Sequence, residues 1–495
     1  MANATKSSTT KDKDLIDKQP LETLKLQASA LKKIGKSIAK KSVVLLFLLS
    51  ATVGFSQTTW YVNHSASGSN TGANWTNAFT SLQSAIAVAT SGDEIWVAAG
   101  TYKPSAYPSA ASGSSNRDYA FYLKGGVEIY GGFNGTETTL AQRDPANNAT
   151  ILSGDIGTAN VATDNCYHVI VSADESSAGT LDGFTITKGN ANGSSTLKVN
   201  YSQINRTSGS GMYNASASPI ITNCTFIYNL GTNGAGMYNA SSSPILSHCT
   251  FIGNTASNGS AMYNFSSSPS IINSAFTKNK ASIGGAIFNW ASTLSIASTT
   301  FSENKANSSG GGIANFASTA LTIVNSILWG NTANSGSDIY NTNNTPTITY
   351  TTLQVVYTGT GNSITDPLFA NASKPAGADG IHRTADDGLR LLSFSPSVNS
   401  GNSNVLGGIT TDIIGAARKQ NGGVNMGAYE NTVSPIYVNH NANGSNDGTD
   451  WTNAYTSLQS AIASAASLNH IWVAKGTYMP SAYPAGASGS SNRDF

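Results

Sequence analysis

One pattern recurs between Gly209 and Asn341, and its period limits the folds open to this chain. Its sharpest column is a Met or Ile placed two residues before an Asn: Met212, Met237, Met262, Ile287, Ile313 and Ile339, at steps of 25, 25, 25, 26 and 26 residues. A second column, Phe226, Phe251, Phe276, Phe301 and Leu328, keeps nearly the same step and is followed three residues on by Asn229, Asn254, Asn279, Asn304 and Asn331. So regular a period is the mark of stacked supersecondary units. Five positions before the Phe column stand Ile221, Leu246, Ile271, Ile296 and Ile323, whereas six before it the residues drift from Ile220 and Ile245 to Ser270, Ser295 and Thr322. One column staying apolar while its neighbour does not is strand alternation, inward then outward. By the same parity Thr225, Thr250, Ala275 and Thr300 face out, and the small residues Cys224, Cys249, Ser274 and Thr299 face in.

Each unit therefore holds three short β segments separated by Asn, Gly and Ser clusters suited to tight turns, with no room for a helix. A propeller blade needs about 40 residues, and leucine-rich repeats demand leucines where this chain has Ile, Phe, Met and Ser. A single coil cannot bury its own face, so successive coils stack as parallel strands ~4.8 Å apart around one core, and parallel crossovers are right-handed. The expected class is all-β: a right-handed parallel β-helix of ~25 residues per coil.

The blocks Gly284-Gly285-Ala286-Ile287 and Phe-x-x-Asn at Phe276 and Phe301 resemble the paired motifs of chlamydial polymorphic outer-membrane protein repeats and of secreted bacterial β-helix proteins of Bacteroidetes type. Upstream, Leu82, Ala85, Ile86 and Ala89 follow a capping-box pattern at Thr80–Gln83 and predict a short helix. With the strand and Gly100-Thr101-Tyr102 after it, this segment is similar to the first coil of pectate-lyase-like β-helices. That resemblance implies an N-terminal capping α-helix over the open end of the core, where apolar groups and strand edges would otherwise be bare. It continues through Val127–Phe133 and Leu181–Ile186 as early coils, while 191–208 reads as a polar loop. Asp366–Phe369, Thr384–Leu389 and Met426–Glu430 resemble the closing segment of the same proteins.

Five regions result. Residues 1–56 read as a signal peptide with an extended, lysine-rich leader: Lys32 to Lys41 precede the apolar run Val43–Leu49, and cleavage is expected near Gln57. That run is too short for a membrane span of about 20 residues. Residues 57–157 are the N-terminal cap and first coils, 158–350 the repeats, and 351–432 a C-terminal cap. Residues 433–495 open a second β-helix: 436–495 matches 60–119 at 43 of 60 positions, and the expectation is a fragment of a longer tandem protein. Ten of the 27 basic residues lie in 1–41 with four of the 26 acidic ones, so the remainder carries 17 against 22, a net −5 that disfavours nucleic acid as a partner.

Charge is scarce where chemistry would need it. Between Gly209 and Tyr350 stand only Lys278, Lys280, Glu303, Lys305 and Asp338. No carboxylate pair of the kind glycoside hydrolysis uses is suggested. Lys278 and Glu303 fall one rung apart and read as a surface ion pair. Cys224 and Cys249 share an inward column, where parallel Cβ vectors suit two buried thiols better than a disulfide. Asp379, Asp386 and Asp387 lie among glycines and form a weak candidate for calcium, the one cofactor considered, against a plain turn. The strongest surface signal is aromatic. Tyr213, Tyr238, Tyr263, Phe288 and Tyr340 form one column, with Ala314 as its gap, and Phe265, Trp290 and Phe316 form a second two residues on. Exposed, they would bind sugar rings or a partner protein; self-stacked, they would stiffen the coil. The expected function is a secreted or cell-surface, non-catalytic scaffold for adhesion or for binding an extracellular glycan or surface protein, with a polysaccharide lyase or glycoside hydrolase of the same fold as the alternative.

Overall fold

The computed structural model describes residues 57–318, 320–406, 408–419, 423–430, 435–465 and 470–480. The signal segment expected at 1–56 lies outside the described residues. The chain divides into two units, Gly54–Ser403 with Thr410–Phe495, and Met1–Val53 with Asn404–Ile409. Of the latter, the described part is a turn in which the Ile409 N–H donates to the Leu406 carbonyl at 2.9 Å.

The larger unit is a parallel β-helix. Each coil contributes one strand to each of three sheets, here named by their inward columns. The Met sheet has eight strands from Phe121–Tyr122 to Ile339–Asn341, the Ile sheet ten from Thr59–Val62 to Thr347–Thr349, and the Phe sheet nine from Gly100–Tyr102 to Thr352–Leu353. Register follows the repeat residue for residue: Met212 pairs with Met237, Ile221 with Leu246, Phe226 with Phe251. The three columns are fully buried, and Phe226, Phe251, Phe276 and Phe301 stack at 4.6, 4.9 and 4.7 Å with planes within 6°. Cys224 and Cys249 are buried free thiols facing inward, as parity requires.

Corners are single residues in the left-handed region. Ser216, Ser241 and Ser266 (φ 48–49°) turn the Met sheet into the Ile sheet, and Asn223, His248, Asn273, Ser298 and Asn325 (φ 45–54°) turn the Ile sheet into the Phe sheet. Asn and His enter this region more easily than most residues. One such residue per corner bends the chain without a long loop, which is why three strands fit in about 25 residues.

Two columns of buried amides are satisfied by translation. Asn214, Asn239, Asn264, Asn289, Asn315 and Asn341 form an inward ladder, each Nδ2 donating to the next Oδ1 at 2.6–3.3 Å. A second ladder runs Asn229, Asn254, Asn279, Asn304, Asn331 at 2.9–3.1 Å and ends when Asn331 donates to Asp338 Oδ1 at 3.2 Å. Asp338 occupies the column of Gly211, Gly236, Ala261, Ala286 and Gly312, and so supplies an acceptor where the next coil has no Asn. Burial raises its carboxyl to about 6.

Helix α1, Leu82–Val88, buries Leu82, Ala85 and Ile86 against the first coils, as a cap should. The capping box does not form. Ser81 is the N-cap without a side-chain bond, and Gln83 instead accepts from the Ser105 N–H and hydroxyl at 2.5 and 2.9 Å. Nor is 191–208 simply a loop: Thr196–Val199 pairs antiparallel with Ser202–Asn205. Its apolar residues Leu197, Val199 and Ile204 are buried, and Arg206 beyond it is tied to Asp118 at 2.6 Å. The alternation is too short to stand out from the polar residues around it.

Part of the segment expected to close the C-terminal end lies along the side of the coil. Residues 366–403, 410–419 and 423–430 run back as a strap along the outside of the Phe sheet: Leu389, Ile413, Ala428 and Tyr429 pack on Ala275, and Leu391 and Met426 on Ile327. The Ala428 N–H donates to Thr300 Oγ1 at 2.9 Å. Ala275 and Thr300 are therefore buried although they point outward, and Thr225 and Thr250 of the same column are buried too.

Residues 435–465 and 470–480 repeat the opening of the fold. Ile436–Val438 pairs with Ile471–Val473 as Thr59–Val62 does with Glu94–Ala98, and helix α2, Leu458–Ser464, stands where α1 does. Tyr437 meets Trp451 at 4.9 Å as Tyr61 meets Trp75, and His440 meets Tyr478 at 5.6 Å as His64 meets Tyr102 at 5.7 Å.

Candidate functional site

The outer face of the Met sheet carries the aromatic residues singled out above. Strand alternation places Met212 and Asn214 inward, so Tyr213 and the residue two further on point out. The two expected columns join into one row. Tyr213, Tyr238, Tyr263 and Phe288 follow at 4.9, 5.2 and 4.7 Å. At the gap left by Ala314, the ring of Phe316 closes the row, 5.3 Å from Phe288 and 5.3 Å from Tyr340.

Exposure varies along the row. Tyr213 is buried: its strand lies beside the 196–205 hairpin, and His168 meets its ring edge at 5.6 Å. Tyr238, Tyr263, Phe316 and Tyr340 are half-buried, Phe288 is buried between its neighbours, and Phe265 and Trp290 are 41% and 42% exposed. Rings this close, with planes 26–42° apart, cannot lie side by side in one plane, so within the row they spend much of their faces on one another. What remains for a ligand is the ring of Phe265, which makes no ring contact among the described residues, the outer part of Trp290, and the hydroxyls of Tyr238, Tyr263 and Tyr340. Those hydroxyls make no hydrogen bond among the described residues, and burial raises the phenols of Tyr238 and Tyr263, keeping them neutral donors. None of the five charged residues between Gly209 and Tyr350 lies on these strands.

The candidate calcium residues are spent locally. Asp386 Oδ2 accepts from the N–H groups of Ala378 and Asp379 at 2.6 and 3.1 Å, Asp379 Oδ1 from Ile381 N–H at 2.7 Å, and Asp387 Oδ2 from the Tyr429 hydroxyl at 2.6 Å. Among the described residues no group of three or more His, Cys, Asp or Glu side chains is placed to hold a metal. Lys278 and Glu303 do meet, at 3.8 Å. Sequence reasoning passed over Arg143, His248 and Arg383, which the fold brings to one concavity. The available signal was His248 itself, an imidazole in a corner column otherwise made of Asn, Ser and Tyr.

Comparison with known proteins agrees with the architecture. Residues 190–353 match the family model described as a right handed beta helix region. The fold is thus an all-β, right-handed parallel β-helix. No curated protein matches the chain. Among solved structures, pectate lyase Pel9A is 12% identical over 76% of this chain and 97% of its own, with a TM-score of 0.40. A rhamnogalacturonan lyase is 12% identical over 60% and 68%, with a TM-score of 0.25. At these values neither bears on the activity of this chain. Among the described residues no helix is long and apolar enough to cross a membrane.

Proposed function

We propose that the chain is an exported, non-catalytic β-helix scaffold whose Met-sheet face binds a neutral glycan outside the cell or at its surface. The observation that carries this reading is the row of rings from Tyr238 to Tyr340 flanked by exposed Phe265 and Trp290. Large apolar rings beside unpaired hydroxyls on a face without charge suit the mixed apolar and hydroxyl surface of a sugar. Coils repeat every ~4.8 Å, so the row spaces its contacts regularly, as an extended chain of sugars requires.

Affinity electrophoresis against a panel of neutral polysaccharides tests it. Retardation by at least one of them should be lost in the Phe265→Ala, Trp290→Ala double variant, with circular dichroism and thermal midpoint unchanged. Migration that no polysaccharide alters, or retardation the double variant keeps, would sink the reading. Incubating residues 57–432 with the same panel and with pectins tests the non-catalytic part: release of reducing ends or unsaturated uronates would restore the lyase or hydrolase alternative.

A further inference from the structure

A trough of about 510 Å³ opens on another side of the coil, at the corner between the Ile and Phe sheets. Its floor is the corner residues of two successive coils, Thr222 with Asn223 and Ser247 with His248. One wall is the loop Leu140–Ala146; the other is the strap, through His382, Arg383 and Thr411–Gly415. Two segments more than 200 residues apart in sequence thus enclose a stretch of repeat that is otherwise bare.

The charges in this lining are unequally satisfied. Arg143 is held by Asp182 through two bonds, at 2.6 and 2.8 Å, and its guanidinium lies 5.2 Å from the Tyr130 ring. Asp144 turns its carboxylate into its own loop, accepting from the Ala146 and Asn147 N–H groups and the Asn147 amide. Arg383 has no such partner. Its Nη1 reaches the His248 carbonyl at 3.4 Å, its Nε is buried without a hydrogen-bond partner, and no carboxylate lies within ion-pair distance among the described residues. Leaving a cation half out of water with donors unmade is costly unless something else meets them. Beside it, His248 Nε2 has only contacts of 3.4 Å, to Asn273 Nδ2 and Thr411 Oγ1. Burial, and next the charge of Arg383, hold the imidazoles of His248 and His382 below their ordinary value, His382 at about 4. Both are therefore neutral near pH 7, and among the described residues lining the trough Arg383 is the cation without a carboxylate within ion-pair distance.

We infer that the trough binds a small carboxylate-bearing ligand, its carboxylate on the Arg383 guanidinium and its polar substituents towards His248 and Thr411. A planar guanidinium fork matches a carboxylate in shape, and the unmade donors of Arg383 are what a carboxylate would meet. The volume falls in the range of small-molecule sites, and Leu140, Pro145, Ile413 and Ile414 give the carbon skeleton an apolar wall. No bond is made or broken in this role. The site is separate from the Met-sheet face, so either can fail without the other.

The test is titration of the full chain, labelled at histidine, with sodium D-glucuronate, with D-glucose as its uncharged counterpart and with inorganic phosphate. Glucuronate should shift the His248 and His382 imidazole signals saturably, and glucose should not. Arg383→Gln should weaken glucuronate binding about tenfold or more, the effect of losing a charge-assisted pair, and Arg383→Lys should weaken it less. His248→Asn, which puts at this corner the residue that turns it at 223, 273 and 325, should weaken binding severalfold while leaving the backbone turn intact. It decides the matter if Arg383→Gln does not fold. No saturable shift, an equal response to glucose, tighter binding of phosphate, or full affinity in the folded variants would each overturn the inference.

Discussion

The repeat coils and the C-terminal strap both bury many polar groups, and they satisfy them in opposite ways. In the coils two columns of buried groups are neutral amides, and one solution serves each of their rungs because the next coil presents the same residue a strand spacing away. The strap has no repeat to lean on. It buries Asp387, Arg390, Asp412, Arg418 and Glu430, each at most 5% exposed and each with its own partners, among them Arg418 with Glu430 at 3.2 Å and Asp387 with Tyr429 at 2.6 Å. Translation makes burial of polar groups cheap; without it ionised groups must be matched one by one, and the match depends on pH.

The largest test of this contrast removes packing from a rung. Phe251→Ala takes a ring from the middle of the stack and should cost about 3–5 kcal/mol in urea unfolding. A loss under about 1 kcal/mol would mean that the stack collapses around the gap. Asn279→Ala cuts the amide ladder instead. It orphans the Asn254 amide donors and the Phe251 carbonyl, each buried, at about 1–3 kcal/mol per group left unpaired. Asn279→Asp would sharpen the result, since a carboxylate still accepts from Asn254 but cannot donate onward to Asn304.

The strap should respond to pH through Asp387 and Glu430, and the repeat coils only through Asp338, where the amide ladder ends. Burial raises Asp387 and Glu430 to about 7 and Asp338 to about 6. Each folded value exceeds the unfolded one, so the folded chain holds these protons more tightly. The resulting stability is fully present below roughly pH 4 and is lost as pH rises to about 7. Unfolding free energy should accordingly fall between pH 5 and 7.5, on the order of 1 kcal/mol or more. The double variant Asp387→Asn, Glu430→Gln should flatten that slope, and a slope unchanged in it would place the proton uptake elsewhere. The smallest effect on stability belongs to the Met-sheet face. Trp290→Ala, two-fifths exposed, should change stability by about 0.5 kcal/mol or less, while reducing glycan retention. A loss of several kcal/mol without a binding effect would make the row a stiffening device.

The amino-acid sequence by itself determined the coil. The Met, Ile, Phe and Asn columns, their parity and the buried thiols at Cys224 and Cys249 follow from a period of about 25 with alternation inside it, because each rung needs only what its neighbour supplies; the capping helix follows from its own apolar spacing at Leu82, Ala85, Ile86 and Ala89. Tertiary structure decided whatever lies outside that local rule. The hairpin beside Tyr213, the closing of the Ala314 gap by Phe316 and the return of the strap over Ala275 and Thr300 leave no periodic trace. Nor does the meeting of Arg143, His248 and Arg383, since these contacts join segments of unlike sequence across long stretches of chain, and nothing in the pattern of either segment names the other.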